Sequence, residues 1–204
     1  MKNFDDFFDN SQLPRILKKA KTVSKEEVRG IFEYFQENRP KVLLEFGVQY
    51  GCSTRVFYDI AKYLEIDLEI HSWDIEDKVK FMDKKDFTLH VEDVTGKEEG
   101  LFEKYNPDLL FLDAHPYILT RNLVKLALEN EVNFMTHDIS MNVYEALKRA
   151  SNNFQNKKVY AAWELYVLEE IFGSEVVTED VYEDDDVRIE FIRDKFGLCI
   201  LYNK

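Results

Sequence analysis

Lys41-Val42-Leu43-Leu44-Glu45-Phe46-Gly47-Val48-Gln49-Tyr50-Gly51-Cys52-Ser53 is the stretch on which the reading of this chain turns. Residues 41–46 read as a buried strand: a short apolar run between Pro40 and Gly47 is too brief for a helix. Gly47 and Gly51 supply a turn that tolerates positive φ and lets a ligand approach the backbone closely. Ser53 or Thr54 then caps a helix whose apolar positions are Val56, Phe57, Ile60, Ala61 and Leu64. The first N–H groups of that helix point into the space beyond the strand.

The same alternation continues outward. Ser24 and Glu27 form a capping box ahead of Val28, Ile31, Phe32 and Phe35, which repeat at helical spacing. Further strands are expected at about 68–73, 87–91, 108–113 and 132–136, ending at Asp74, at Glu92-Asp93, at Asp113 and at His137-Asp138. Helices are expected near 117–129, 140–154 and 160–172. Residues 187–192 and 197–202 read as an antiparallel pair, and the acidic run from Glu179 to Asp186 before them as a solvated loop. Strand–helix alternation argues a parallel sheet with right-handed crossovers. The expected fold class is α/β, Rossmann-like and doubly wound. Its sheet is mostly parallel and seven-stranded, with a C-terminal antiparallel hairpin. One domain spans 1–204, with a polar and aromatic N-terminal extension over 1–23 and the core over 24–204.

Composition bounds the rest. The 204 residues are 45% hydrophobic and 14% aromatic, enough for a substantial core and too much for a disordered chain. Seven Gly and four Pro exclude a collagen-like chain. No apolar run approaches the ~20 residues that cross a bilayer. The N-terminus carries acids where a signal peptide carries bases. A net charge of −13 repels phosphate backbones and anionic membranes. Cys52 and Cys199 cannot build a disulfide framework, so a reducing, cytoplasmic setting is expected.

Ligands of open α/β sheets bind beyond the carboxyl ends of the strands. Here five successive ends carry polar residues: Glu45; Asp74; Glu92 and Asp93; Asp113 and His115; His137 and Asp138. Asp113 and Asp138 could equally cap the helices that follow. His71, His90 and Trp163 read as structural. The turn has the form Glu45-x-Gly47-x-x-x-Gly51-x-Ser53 and lacks the third glycine of the dinucleotide fingerprint. Asp74 stands at the end of the next strand, where a carboxylate takes both hydroxyls of a ribose. The crevice therefore suits a nucleoside without a pyrophosphate.

Leu44-Glu45-Phe46-Gly47-Val48-Gln49-Tyr50-Gly51-Cys52-Ser53 resembles the first motif of class I S-adenosylmethionine-dependent methyltransferases. Its form is similar to the catechol and macrocin-type sugar O-methyltransferases. Asp74, Asp93, Leu112-Asp113-Ala114-His115 and Thr136-His137-Asp138 extend the resemblance from about Lys41 to Asp138. It implies that the Gly47 and Gly51 backbone holds the methionine moiety, with Gln49 and Ser53 nearby. Glu45 would orient the loop or the amino group, Asp74 the ribose, and Asp93 or its neighbours the adenine edge. In the metal-dependent relatives, carboxylates after strands four and five bind magnesium; Asp113 and Asp138 occupy those positions. Those relatives follow the strand-five acid with Asp or Asn, whereas this chain has Ile139, which leaves the set one protein ligand short. The sugar branch often reads Asp-Gly-x-His after strand four; Asp113-Ala114-His115 is one residue shorter.

The activity so implied is methyl transfer to a hydroxyl of a small molecule, a sugar or other hydroxylated metabolite. The sulfonium is already activated, so the protein must align the acceptor and take its proton. His115 or His137 is the candidate base, with Asp113 beside them; a metal would instead lower the acceptor's pKa directly. Nucleic acid is disfavoured as a substrate: an amino-methyltransferase acting on it carries Asp/Asn-Pro-Pro-Tyr/Phe, of which Pro116-Tyr117 alone is present. A non-catalytic nucleoside-binding or scaffold protein of the same fold is the other alternative. A homodimer is compatible with either.

Overall fold

The structure, a computed structural model, describes residues 2–20, 22–114, 116–139, 163–194 and 196–204. Its helices are α1 (Phe4–Asn10), α2 (Leu13–Ala20), α3 (Lys25–Asn38), α4 (Cys52–Leu64), α5 (Glu98–Tyr105), α6 (Tyr117–Glu129) and α7 (Glu164–Phe172). Its strands are β1 (Val42–Phe46), β2 (Glu69–Asp74), β3 (Thr88–Val91), β4 (Leu109–Leu112), β5 (Asn133–His137), β6 (Val181–Glu183), β7 (Val187–Ile192) and β8 (Leu198–Asn203). The helix expected near 140–154 lies outside the described residues, as does His115.

One sheet runs in the order β3-β2-β1-β4-β5-β8-β7-β6. β1 to β5 are mutually parallel, and β8, β7 and β6 pair antiparallel. Strand order reverses at β1, between β2 and β4, so a crevice opens beyond its carboxyl end. Side chains alternate across the sheet. Leu43, Leu109, Phe111 and Met135 pack on the face covered by α1 to α4. Leu44, Leu110, Leu112 and Phe134 pack on the face covered by α5 to α7.

Three expectations are corrected. The sheet has eight strands among the described residues, not seven. The additional one, β6, lies inside the acidic run read as a loop: Val181↔Glu190 and Glu183↔Arg188 pair it with β7, and backbone pairing outweighs the low β-propensity of its flanks. The α4 helix has Gly51 as its N-cap with no side-chain cap, because Ser53 and Thr54 are already committed to Glu45. The stretch 1–23 is more than a polar extension. Phe4, Phe7, Phe8, Leu13, Ile16 and Leu17 are buried in the core, and Phe7 stacks on Phe32 at 5.3 Å. The capping box of α3 forms as expected, with Ser24 Oγ accepting from the Glu27 N–H and Glu27 Oε2 from the Ser24 N–H.

Candidate active site

The glycine turn is built from both flanks. The Gly47 N–H donates to the carbonyl of Trp73 and the Asp113 N–H to that of Phe46, which tie the turn to β2 and the β4 end to β1. Gly47 (φ 92°) passes so close to β4 that an added Cβ would stand 2.2 Å from the Asp113 carbonyl oxygen. Gly51 (φ 76°) faces Val79 and Met82, and the Tyr50 carbonyl accepts from the Lys80 and Phe81 N–H groups. The 79–82 segment therefore folds down over the turn.

Glu45 lies beneath the turn and is fully buried. Ser53 Oγ donates to its Oε1 at 2.5 Å; Thr54 Oγ1 and Ser72 Oγ donate to its Oε2 at 2.7 and 2.6 Å. Ser72 is also its register partner across β1 and β2. Burial pushes the Glu45 carboxyl above its usual range, against those three hydroxyls. Glu45 thus holds β1, β2 and α4 together under the turn.

Asp74 also grips the turn. Its Oδ2 accepts from the Val48 and Gln49 N–H groups at 3.0 and 2.8 Å, and its Oδ1 from Glu76 N–H at 3.1 Å. Both amides are thereby committed to Asp74, and Gln49 takes a positive φ of 47° in the turn. Asp93 sits apart, exposed after β3, with Oδ1 accepting from Thr95 N–H; that bond holds its carboxyl below the usual range.

At the ends of β4 and β5 the structure brings Asp113, His137 and Asp138 together, their ligating atoms all within 4.8 Å of one another. His137 is buried, and its Nδ1 lies 3.2 Å from Asp138 Oδ1 and 3.9 Å from Asp113 Oδ2. Asp138 reaches this position through a left-handed backbone (φ 59°), and Ile139 beyond it is fully buried in the core. On the other side His137 Nε2 stands 3.6 Å from Glu27 Oε2, an ion pair rather than a hydrogen bond. Burial works against the charged imidazole, but Asp138, Glu27 and Asp113 outweigh it and push its pKa up to about 10. Glu27 is a residue the sequence reading placed in a helix cap and not in the site; the spacing of a capping box carries no sign of a second partner 110 residues away.

Residues from both halves meet in one crevice. Val48, Gln49, Tyr50, Cys52 and Ser53 of the turn face Asp113 and His137, and Ala20, Thr22 and Val23 close it from the N-terminal side. The space left between them is ≈ 30 Å³. A cavity of ≈ 310 Å³ lies at the opposite, amino ends of β1, β4 and β5, against Tyr34, Asn38, Asp108 and Asn133. Its polar groups are largely spent on structure: Asp108 Oδ2 accepts from Lys41 and Val42 N–H, and Asn133 Nδ2 donates to Tyr34. The chemistry gathers at the smaller crevice.

His71 and His90 join a stack away from the crevice. His90 lies 4.4 Å from the Trp73 ring, and His71 4.1 Å from Tyr105. Trp163, half-buried at the start of α7, packs edge-on against Tyr117 and Tyr166.

No protein-family model and no curated protein sequence matches the chain. Solved structures do. A Staphylococcus aureus protein provisionally assigned as a caffeoyl-CoA O-methyltransferase aligns with a TM-score of 0.62 at 13% identity, over 96% of this chain and 94% of its own. An O-methyltransferase from Bacillus cereus, solved with S-adenosylhomocysteine, aligns at 0.58 and 11% identity over 100% and 92%. TomG, an O-methyltransferase from Streptomyces achromogenes solved with S-adenosylmethionine, aligns at 0.57 and 12% identity over 100% and 91%. The alternating β1 to β5 core, the reversal at β1 and the antiparallel close of the sheet make a Rossmann-like α/β fold, which this chain shares with these O-methyltransferase structures.

Proposed function

We propose that this protein is an S-adenosylmethionine-dependent methyltransferase acting on a hydroxyl of a small molecule. One observation carries the reading: Val48, Gln49 and Tyr50 of the glycine turn face the same crevice as Asp113 and His137 of the cluster. A cofactor held by the turn would present its methyl group to an acceptor held at the cluster, and alignment is the larger part of what this transfer needs. Similarity to O-methyltransferases solved with S-adenosylmethionine or S-adenosylhomocysteine supports the same assignment.

In this reading Gly47, Gly51, Gln49 and Ser53 shape the methionine end, resting on Glu45, and Asp74 adds ribose hydroxyls to the amides it already holds. Asp93 flanks the adenine. The crevice is far smaller than the ~300 Å³ of a ligand pocket, so this reading requires the 79–82 segment, or Ala20, Thr22 and Val23, to move aside for the cofactor. Both ring nitrogens of His137 face carboxylates. That leaves His115 as the base we assign to the acceptor proton, with Asp113 beside it in sequence. Asp113 and Asp138 fit a divalent cation, Mg²⁺ in the sense of the resemblance, and such an ion would supply a lowered acceptor pKa. The buried thiols of Cys52 and Cys199 fit a reducing cytoplasm. Among the described residues no helix is long and apolar enough to cross a membrane. Residues 1–204 act as one domain in this reading, and the short exposed edge strand β6 offers a homodimer a pairing face.

Calorimetric titration with S-adenosylhomocysteine tests the reading, on the intact protein and on Asp74→Ala. Micromolar binding that the substitution abolishes supports it, and methylation of hydroxylated metabolites with and without Mg²⁺ then finds the acceptor. No binding to a folded sample overturns it in favour of a non-catalytic protein of this fold.

A further inference from the structure

The residues around His137 bear on which ion the cluster takes, an inference that rests on the proposed function above. Glu27, in the first turn of α3, is fully buried. Its Oε2 accepts from Ser24 N–H at 2.7 Å and its Oε1 from Gly197 N–H at 2.9 Å. The carboxylate is thus fixed from the helix start and from the turn entering β8. A buried carboxylate needs a compensating partner. Among the described residues, the base within ion-pair distance of Glu27 is His137, through Nε2 at 3.6 Å. A carboxylate on one ring nitrogen decides which nitrogen keeps its hydrogen and how the ring is aimed. An ion that displaces the Nδ1 proton would leave Nε2–H toward Glu27 and Nδ1 facing Asp138 Oδ1 and Asp113 Oδ2, 3.2 and 3.9 Å away.

Those separations suit one ion. Ligands at about 2.1 Å from a shared ion stand about 3 Å apart when adjacent and about 4 Å apart when opposite. With Ile139 turned into the core, a third protein ligand would come from the residue before Asp138, His137. The donor set also changes in kind. Magnesium favours oxygen ligands and retained waters, whereas imidazole favours borderline transition metals.

We propose that Glu27 is a positioning residue that presents His137 as a nitrogen ligand beside Asp113 and Asp138, so that the site takes an ion of the Co²⁺ or Zn²⁺ class in preference to Mg²⁺. The test uses the metal-free, full-length protein with no cofactor present. Co²⁺ is titrated by its visible absorption, and Mg²⁺ is added as competitor. Co²⁺ is expected to bind at least tenfold more tightly than Mg²⁺, and His137→Asn to lose that preference. Glu27→Gln is expected to weaken Co²⁺ about 10–100-fold and to move the ring ¹⁵N shifts of His137. Ser24→Ala breaks the same helix cap but keeps the Glu27 carboxylate, and is expected to change neither. Mg²⁺ binding as tight as Co²⁺, or Ser24→Ala reproducing Glu27→Gln, overturns the inference. If Glu27→Gln does not fold, the Co²⁺/Mg²⁺ ratios of the intact protein and His137→Asn decide it. Calorimetry with S-adenosylhomocysteine on the same preparation separates the two readings. Cofactor binding without metal preference overturns this inference alone. Metal preference without cofactor binding overturns the proposed function alone.

Discussion

Gly47 and Asp113 meet backbone to backbone: a Cβ on Gly47 would lie 2.2 Å from the Asp113 carbonyl oxygen and 2.6 Å from its carbonyl carbon. The glycine turn and the end of β4 are therefore one rigid joint, because neither atom belongs to a flexible side chain.

Gly47→Ala is expected to break that joint. A non-glycine residue at φ 92° costs about 1–3 kcal/mol, and relieving the overlap must also push the β4 end outward. S-adenosylhomocysteine affinity should fall at least tenfold by calorimetry, with a lower Tm. Gly100→Ala is the control. Gly100 lies in α5 with nothing within 4 Å of its added Cβ, and the change should stabilise by about 0.5–1 kcal/mol.

Asp74→Ala leaves the Val48 and Gln49 N–H groups without their acceptor. Losing its acceptor costs a buried donor about 1–3 kcal/mol, and the exposed Gln49 amide less than the part-buried Val48 amide, so the turn loosens and cofactor binding weakens. Asp74→Asn keeps one carbonyl oxygen for those amides and should fall between the two. Equal binding by all three proteins would remove Asp74 from the cofactor site.

The Glu45 carboxyl, raised by burial above its ordinary 4.5, sets a pH signature. A raised acid favours the fold in its protonated form, so this contribution is fully present below about pH 4.5 and is lost as pH rises through the folded pKa. Glu45→Gln does not titrate and keeps an acceptor for the surrounding hydroxyls. Its Tm relative to the parent should climb from pH 4.5 to pH 8 in thermal melts. Parallel Tm curves would contradict the assignment.

Phe7→Ala tests the N-terminal helices. Phe7 is 3% exposed and stacks on Phe32. Truncating such a ring costs about 3–5 kcal/mol, and in a chain of this length each kcal/mol lowers Tm by roughly 2–4 °C. A Tm within 2 °C of the parent, read as under about 1 kcal/mol, would mean that α1 contributes little to the core.

The core of the fold was legible because its signals are local. The apolar run 42–46 closed by Gly47, the even spacing along 117–129 and the Ser24–Glu27 box each act over fewer than fifteen residues. α1 and α2 were not legible as core, since the phenylalanines of α1 are interleaved with acids and the leucines and isoleucine of α2 with bases, and their packing partners lie on distant helices such as α3 and α4. β6 was hidden for a similar reason: an acidic segment becomes a strand when β7 offers it hydrogen bonds.

The site divides along the same line. The order of residues alone determined which of them stand at strand ends, because a parallel sheet delivers every such end to one rim. That brought Glu45, Asp74, Asp113, His137 and Asp138 into one list. Their division of labour came from packing. Glu45 and its hydroxyl partners meet because Ser72 is its register partner on β2 and the start of α4 lies on the same face of the sheet. His137 lies between Glu27 and the aspartates because α3 runs along β5, Glu27 meeting its His137 end and Tyr34 its Asn133 end. Side-chain partners at long separation are set by how helices dock on the sheet, and that is decided by the tertiary structure and by nothing in the local sequence.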